Sequence, residues 1–342
     1  MRITSVTPMK DEGPYILEWV AYHRLIGVND MIVFSNDCRD GTSHILERLD
    51  EMGILRHLPN PSMFTGNTHH HWQVISYMNT FERLRRSDWV LSLDADEFLT
   101  VKTGQGRIED LIEATGEPDV ISFNQLNFGS SGRNRRAEGL QMRTYLQAQA
   151  YEGAHRQRID RRGVKSLTRV GAKPKQFGNH SPIFDKWHKR EVKWVNGGGE
   201  SIEAIADGKQ IKSLPNPHYS YGLAQLNHYA IRSAENFLVL RDRGNANHED
   251  RAADLKYWLK YDVNQTENRE ILRHADDVEA QVAEWCQDAE LGQLHAKAER
   301  YHRRWGNRLR KDPEFHALFM KCVRAYKRTW ESEEPESAEA AA

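Results

Sequence analysis

Over its first 125 residues the chain alternates regularly between short apolar runs and stretches with apolar residues at helical spacing. Residues 3–7 (ITSVT) read as a strand. Pro14 is placed to open a helix, where its missing N–H costs nothing, and Ile16, Trp19, Val20 and His23 follow at a helical period. Residues 31–34 are a second strand. "NDCRDGT" is a loop, and Thr42 is placed to cap a helix carrying Ile45, Leu46, Leu49 and Met52, which Gly53 stops. Residues 54–58 are a third strand, 68–86 a helix with Val74, Ile75, Met78, Phe81 and Leu84 inward, and 89–93 a fourth strand. Parallel strands need crossover connections, and helices supply them. The alternation therefore predicts an α/β domain whose mostly parallel sheet is covered by helices.

The pattern breaks after residue 125. Residues 126–222 are rich in Gly, Pro, Asn, Arg and aromatics, with short strand candidates such as 192–195. Between residues 133 and 175 stand twelve Lys/Arg against three Asp/Glu. From about Ser233 the chain is helical and polar. The divisions expected are a first half (1–125), a second half (126–250), a helical C-terminal region (251–330) and a disordered acidic tail (331–342).

Charge nearly cancels, with 48 basic and 49 acidic residues, so it offers no argument for nucleic acid. The basic region has few interleaved aromatics and no nucleic-acid motif. Three cysteines (Cys38, Cys286 and Cys322) lie far apart, which fits neither a disulfide framework nor a zinc site and favours a reducing compartment. No stretch approaches the roughly 18–20 apolar residues of a membrane span. The expectation is a cytoplasmic protein.

The fourth strand runs into charge: "WVLSLDADEFL" ends in Asp94, Asp96 and Glu97. In an open parallel sheet, ligands sit at the carboxyl ends of strands. Residues i and i+2 of a strand point to one side, so Asp94 and Asp96 are expected to converge. Converging carboxylates repel unless a cation separates them. Oxygen ligands favour Mn²⁺ or Mg²⁺, which complete their shells with water and phosphate oxygens. A solvated acidic loop is the competing reading of so short a pattern. "HHH" at 69–71 does not converge on a helix and reads as an exposed helix start.

The stretch "TPMKDEGPYILEWVAYHRLIGVNDMIVFSNDCRDGT", followed by "WVLSLDADEFL", resembles family 2-type glycosyltransferases with a GT-A fold. The similarity lies with a subgroup that opens "KNEGPYLLEWIAYHRLLGVD" and ends a strand in "DxDEF". It resumes at "VKSLTR" and at "LNHYAIRSAENFLVLRDRGNAN", and covers roughly the first 250 residues. Asp11 stands where that family usually has Asn, and Arg232 where it usually has Lys.

The resemblance implies a metal-dependent, inverting transferase that moves a sugar from a nucleotide-sugar donor to an acceptor hydroxyl. The acceptor would be a saccharide or a lipid-linked one, as in cell-surface polysaccharide synthesis. Asp94 and Asp96 would hold the metal, and His228 of "NHY" would complete its shell. Asp11 and Glu12, with Asn36, Asp37 and Asp40, would lie on the nucleotide. Asp40 and Thr42 have a plainer reading as a turn and helix cap. Glu97 would face the acceptor, stand behind the metal, or face solvent.

Lys165, Arg169 and Arg232 would neutralise phosphate, or form a solvated positive face. Trp187, Trp194, Tyr219 and Tyr221 are candidates for a sugar platform or for core. The base is expected after the DxD, at Asp185 in "HSPIFDKW" or Glu200 in "NGGGES". Residues 297–328 are basic and amphipathic. They either pack on the domain or lie on an anionic membrane, which would make the protein peripheral to its inner face. Two other functions stay open: a silent nucleotide- or carbohydrate-binding protein, and an aspartate-based phosphohydrolase.

Overall fold

The structure is a computed structural model and describes residues 1–153, 160–185, 191–202, 210–244 and 253–331. Trp187 and the tail beyond Glu331 lie outside these residues.

The predicted alternation is present. Strands β1 (Ile3–Met9), β2 (Asp30–Ser35), β3 (Arg56–Pro59) and β4 (Trp89–Ser92) are separated by α1 (Ile16–Leu25), α2 (Thr42–Glu51) and a helical stretch after β3. β1, β2 and β3 pair parallel, and β4 joins the other edge of β1 in parallel too. The segment expected as one helix over 68–86 is broken. α3 (Ser62–Thr65), α4 (His70–Met78) and α5 (Glu82–Arg85) replace it. Asn79 ends α4 because its amide donates to the Ile75 and Phe177 carbonyls (2.6 and 2.9 Å), anchoring the chain at the break.

Beyond β4 come β5 (Glu97–Val101), α6 (Ile108–Ala114), β6 (Val120–Asn127), α7 (Gln141–Thr144), β7 (Gln147–Ala148), β8 (Arg161–Arg169), β9 (Trp194–Asn196), β10 (Ser213–Pro215) and β11 (Ala224–His228). The main sheet runs β3-β2-β1-β4-β8-β6-β11-β5, with β9 on β6 and β10 on β8. It is parallel as far as β4 and mixed afterwards. β8 lies antiparallel between β4 and β6, and β5 antiparallel to β11. β5 follows β4 after a single turn, too short for a parallel crossover.

The C-terminal part comprises α8 (Ala234–Arg243), α9 (Leu255–Tyr261), β12 (Thr266–Glu267) paired with β7, α10 (Ala275–Trp285), α11 (Ala289–Leu309) and α12 (Pro313–Tyr326). α10 packs on α1, and α11 on α2 and α8. The helical extension therefore packs on α1, α2 and α8. Gly13 marks one close approach, since a Cβ there would lie 2.7 Å from the Ala298 Cβ.

This topology places the loops after β1, β2 and β4, together with His228 at the end of β11, along one rim of the sheet. The β11–β5 register sets His228 opposite Glu97, and β11–β6 sets it opposite Asn127.

Candidate active site

The carboxylate cluster is a tight turn between two strands. The Glu97 amide donates to the Asp94 carbonyl (3.1 Å), and the Asp94 amide donates to Glu97 Oε2 (2.9 Å). Asp94 and Asp96 consequently do not project side by side as strand residues would. They face different partners on the walls of one cavity of about 260 Å³.

Asp94 faces cations of the protein itself. Lys165, on β8 and fully buried, brings Nζ to 3.2 Å from Asp94 Oδ1 and 3.5 Å from Glu97 Oε2. It also donates to Asn179 Oδ1 (2.6 Å). His71 Nδ1 lies 3.6 Å from Asp94. Burial alone would raise the Asp94 pKa, but Lys165, then His71 and His180, hold it well below the carboxylate range. Burial, and then the neighbouring Asp94 and Asp96, push Glu97 upward. Glu97 also accepts from the Gln125 amide (2.6 Å) and is fully buried, so it faces neither acceptor nor solvent. Lys165 does not line the cavity: it supports the carboxylates from beneath and is not open to a phosphate.

Asp96 faces His228, with Nε2 to Oδ2 at 3.6 Å. His228 Nδ1 lies 2.9 Å from Asn127 Oδ1, an acceptor. Nδ1 therefore carries the proton, and Nε2 turns its lone pair toward Asp96. Burial lowers the His228 pKa, although Asp96 and Asp94 oppose this, so the ring is neutral at pH 7. A lone pair and a carboxylate at this distance, too far for a hydrogen bond, suit two ligands of one cation with bonds near ~2.0–2.2 Å. Among the described residues no three His, Cys, Asp or Glu side chains form a metal-binding group. A cation here would take its remaining ligands from water and substrate oxygens, as Mg²⁺ sites commonly do.

The facing wall comes from the loop after β1 and from α8. Arg243, half-buried at the end of α8, pairs with Glu12 Oε1 (2.5 Å) and lines the cavity with Glu12. Arg232 Nη2 lies 3.1 Å from Glu12 Oε2, and its guanidinium sits 3.7 Å above the Tyr15 ring. Burial raises the Glu12 pKa, but the two arginines outweigh it and hold the carboxyl ionised. Arg232 and Asp11 line a narrow adjoining cleft that shares Asp96 and Arg243 with the main cavity. Asp11 Oδ1 accepts from the Arg39 amide (2.6 Å). Asp11, Asp37 and Arg232 have left-handed backbones, with φ of 50°, 49° and 53°. Asp tolerates that region better than most residues, whereas Arg232 is held there by its ion pair and ring contact.

The other nominated residues stand elsewhere. Asn36 is buried and bonded to Asp37 and Asn60. Asp40 is consumed structurally. It accepts from the Gly13 and Thr42 amides (2.8 and 2.9 Å) and meets His302, so it braces the turn before α2 and is turned away from the cavity. Thr42 is the first helical residue, not the cap, and its hydroxyl accepts from the Glu12 amide (2.8 Å). Asp185 is exposed and lies 3.4 Å from Lys175, and Glu200 accepts from Asn196 in the turn after β9. Neither lines the cavity. Arg169 stacks on Trp89. Trp194 and Tyr221 are core residues, bonded to Ser122 and the Gln125 carbonyl, and Tyr219 donates to Asp160.

The cavity residues not nominated from sequence include His71, His180, Arg243 and Tyr257. His71 belongs to the run read as exposed, yet it is buried at the first turn of α4 and points inward. Helical phase was the available signal, because His71, Val74, Ile75 and Met78 share one face. Arg243 lies within the quoted "RDRG". His180 bonds the Val164 carbonyl through Nδ1 (3.0 Å), and burial lowers its pKa to about 4.

Residues 3–195 match the model of glycosyltransferase family 92. A glycosyltransferase family 92 protein of Oryza sativa subsp. japonica is 27% identical over 134 residues, 38% of this chain and 22% of that protein. The chain thus spans about a fifth of that relative's length. Among solved structures, S. aureus TarS 1–349 is 14% identical over 97% of this chain and 91% of that one, at a TM-score of 0.30. Mannosyl-3-phosphoglycerate synthase from Rubrobacter xylanophilus is 14% identical over 42% and 44%, at 0.24. The helix-covered sheet with C-terminal helices is the GT-A type architecture expected. The family 2-type resemblance holds at the level of a glycosyltransferase; the matching model is that of another family. With more than half of its residues inside that model, the chain belongs to glycosyltransferase family 92.

Proposed function

We propose that the cavity at Asp96 transfers a glycosyl group from a nucleotide-sugar donor to the hydroxyl of a saccharide or lipid-linked acceptor, with inversion and with Mn²⁺ or Mg²⁺ bound. The observation that carries this reading is the Asp96–His228 pair, facing across an open cavity at the strand ends with Arg243 beside it. When bound, the cation would offset charge on the departing diphosphate. Asp96 and His228 would hold it. Arg243 would face the phosphates, and Asp94, set by Lys165, would close the opposite wall. Inversion calls for a base on the acceptor side. The segment from His180 to Glu200 carries His180 within the cavity and Asp185 and Glu200 outside its lining. A cytoplasmic setting, with polysaccharide synthesis as the pathway, fits the reading.

Calorimetry with uridine or guanosine diphosphate and Mn²⁺ tests it. Wild type should bind one of them only with the metal present, and Asp96→Asn should abolish binding. Equal binding by the mutant refutes the assignment.

A further inference from the structure

A second cavity, of about 440 Å³, lies between the loop after β2 and one face of α11. It shares no lining residue with the cavity at Asp96. Its wall on α11 carries Lys297, Arg300, Arg304 and Arg308, at helical spacing and exposed. Among the described residues none of these four pairs with a carboxylate, in contrast to Arg136 and Arg243. Arg39 adds a fifth cation from the loop, itself paired with Asp11 (3.4 Å) and Asp242 (3.0 Å). The one carboxylate in the lining, Asp40, is turned inward onto His302.

The same face carries two half-buried aromatic rings. Tyr301 and Trp305 stack nearly parallel, with centroids 6.0 Å apart and planes at 10°. Arg308 and Arg39 stand 5.1 and 5.9 Å from the Trp305 ring centre. Trp305 Nε1 donates to Asp242 (2.8 Å), which fixes the ring. The opposite face of α11, with Leu291, Ala298, His302 and Leu309, is buried in the domain.

We propose that this groove binds an acidic oligosaccharide, a chain of pyranose rings bearing carboxylate, sulfate or phosphate groups. The flat aromatic pair suits the C–H face of a sugar ring. The four α11 cations without a carboxylate partner suit anionic substituents, and the volume is that of a small-ligand site. An anionic membrane surface is the poorer match. A helix lying in an interface exposes its apolar face to the lipid, whereas the apolar face of α11 is the buried one. The binding proposal is independent of the donor reading.

Calorimetry on the full chain uses tetragalacturonate, neutral maltotetraose, and inorganic phosphate as probes, with Trp fluorescence followed in parallel. Tetragalacturonate should bind and quench the fluorescence, while maltotetraose and phosphate should bind far more weakly. Arg300→Glu/Arg304→Glu, on exposed helix positions, should weaken tetragalacturonate by roughly tenfold or more. Diphosphate binding with Mn²⁺, measured on the same samples, should not change between wild type and variant. If wild type binds no diphosphate, the transferase reading fails while the groove is still read out. No tetragalacturonate binding, binding undiminished in the variant, or equal binding of maltotetraose overturns the proposal. So does cosedimentation with phosphatidylserine vesicles that the variant loses while wild type ignores the oligosaccharide.

Discussion

Asp40, on the loop after β2, and His302, on α11, are 262 residues apart and meet at 2.8 Å with both side chains buried. The same carboxylate accepts from the backbone of Gly13 and Thr42. One side chain therefore ties together the loop after β1, the start of α2 and α11. Removing the imidazole leaves a buried carboxylate one partner short. His302→Ala should cost about 1–3 kcal/mol, read as a lower urea midpoint with an unchanged slope. A cost within error would show that α11 is not part of the cooperative unit.

The same pair sets an acid dependence. Burial opposes ionisation of Asp40, but the bond to His302 outweighs it and lowers the pKa to about 2. The folded value lies below the unfolded one, near ~3.9, so the stabilisation is full above that value and is lost as pH falls toward 2. The stability gap between wild type and Asp40→Asn should be constant at neutral pH and shrink between about pH 4 and pH 2. A gap that widens on acidification would contradict the assigned direction.

Lys165 stands in the sheet beneath two carboxylates. Lys165→Met should destabilise by about 3–5 kcal/mol, the usual result of stripping one partner from a buried ion pair. Adding Asp94→Asn removes the stranded charge and should restore part of the loss. Denaturant titration of both variants checks this. No recovery in the double variant would place the cost on packing rather than charge.

Arg243 faces the cavity from α8 while held by Glu12. Arg243→Gln should weaken uridine or guanosine diphosphate binding by roughly tenfold, as loss of a charge-assisted contact does, and leave the circular dichroism spectrum unchanged. Unaltered affinity would remove Arg243 from the phosphate wall.

Asp94 and Asp96 are expected to respond differently. Asp94→Asn strands Lys165, and should lower stability. Asp96→Asn should leave stability within about 0.5 kcal/mol, the range of substitutions away from buried networks, while abolishing metal-dependent binding. Matching losses of stability would mean that the two carboxylates share one structural role.

The alternation of apolar runs and helical periods determined the first half of this protein. β1, β2 and β4 with α1 and α2 lie where local pattern placed them, because each element buries a face that its own residues define. The motif "DADEF" likewise marked the cavity, since three carboxylates after an apolar strand need a reason. Tertiary structure alone decided what each carboxylate does. Lys165 reaches Asp94 from β8, His228 reaches Asp96 through the register of β11 on β5 and β6, and His302 takes Asp40 from α11. Those partners lie 71, 132 and 262 residues away, as the numbering shows. Local periodicity carries no information about pairs at such separation. The energy of a buried charge depends on which groups the completed fold brings within a few ångströms.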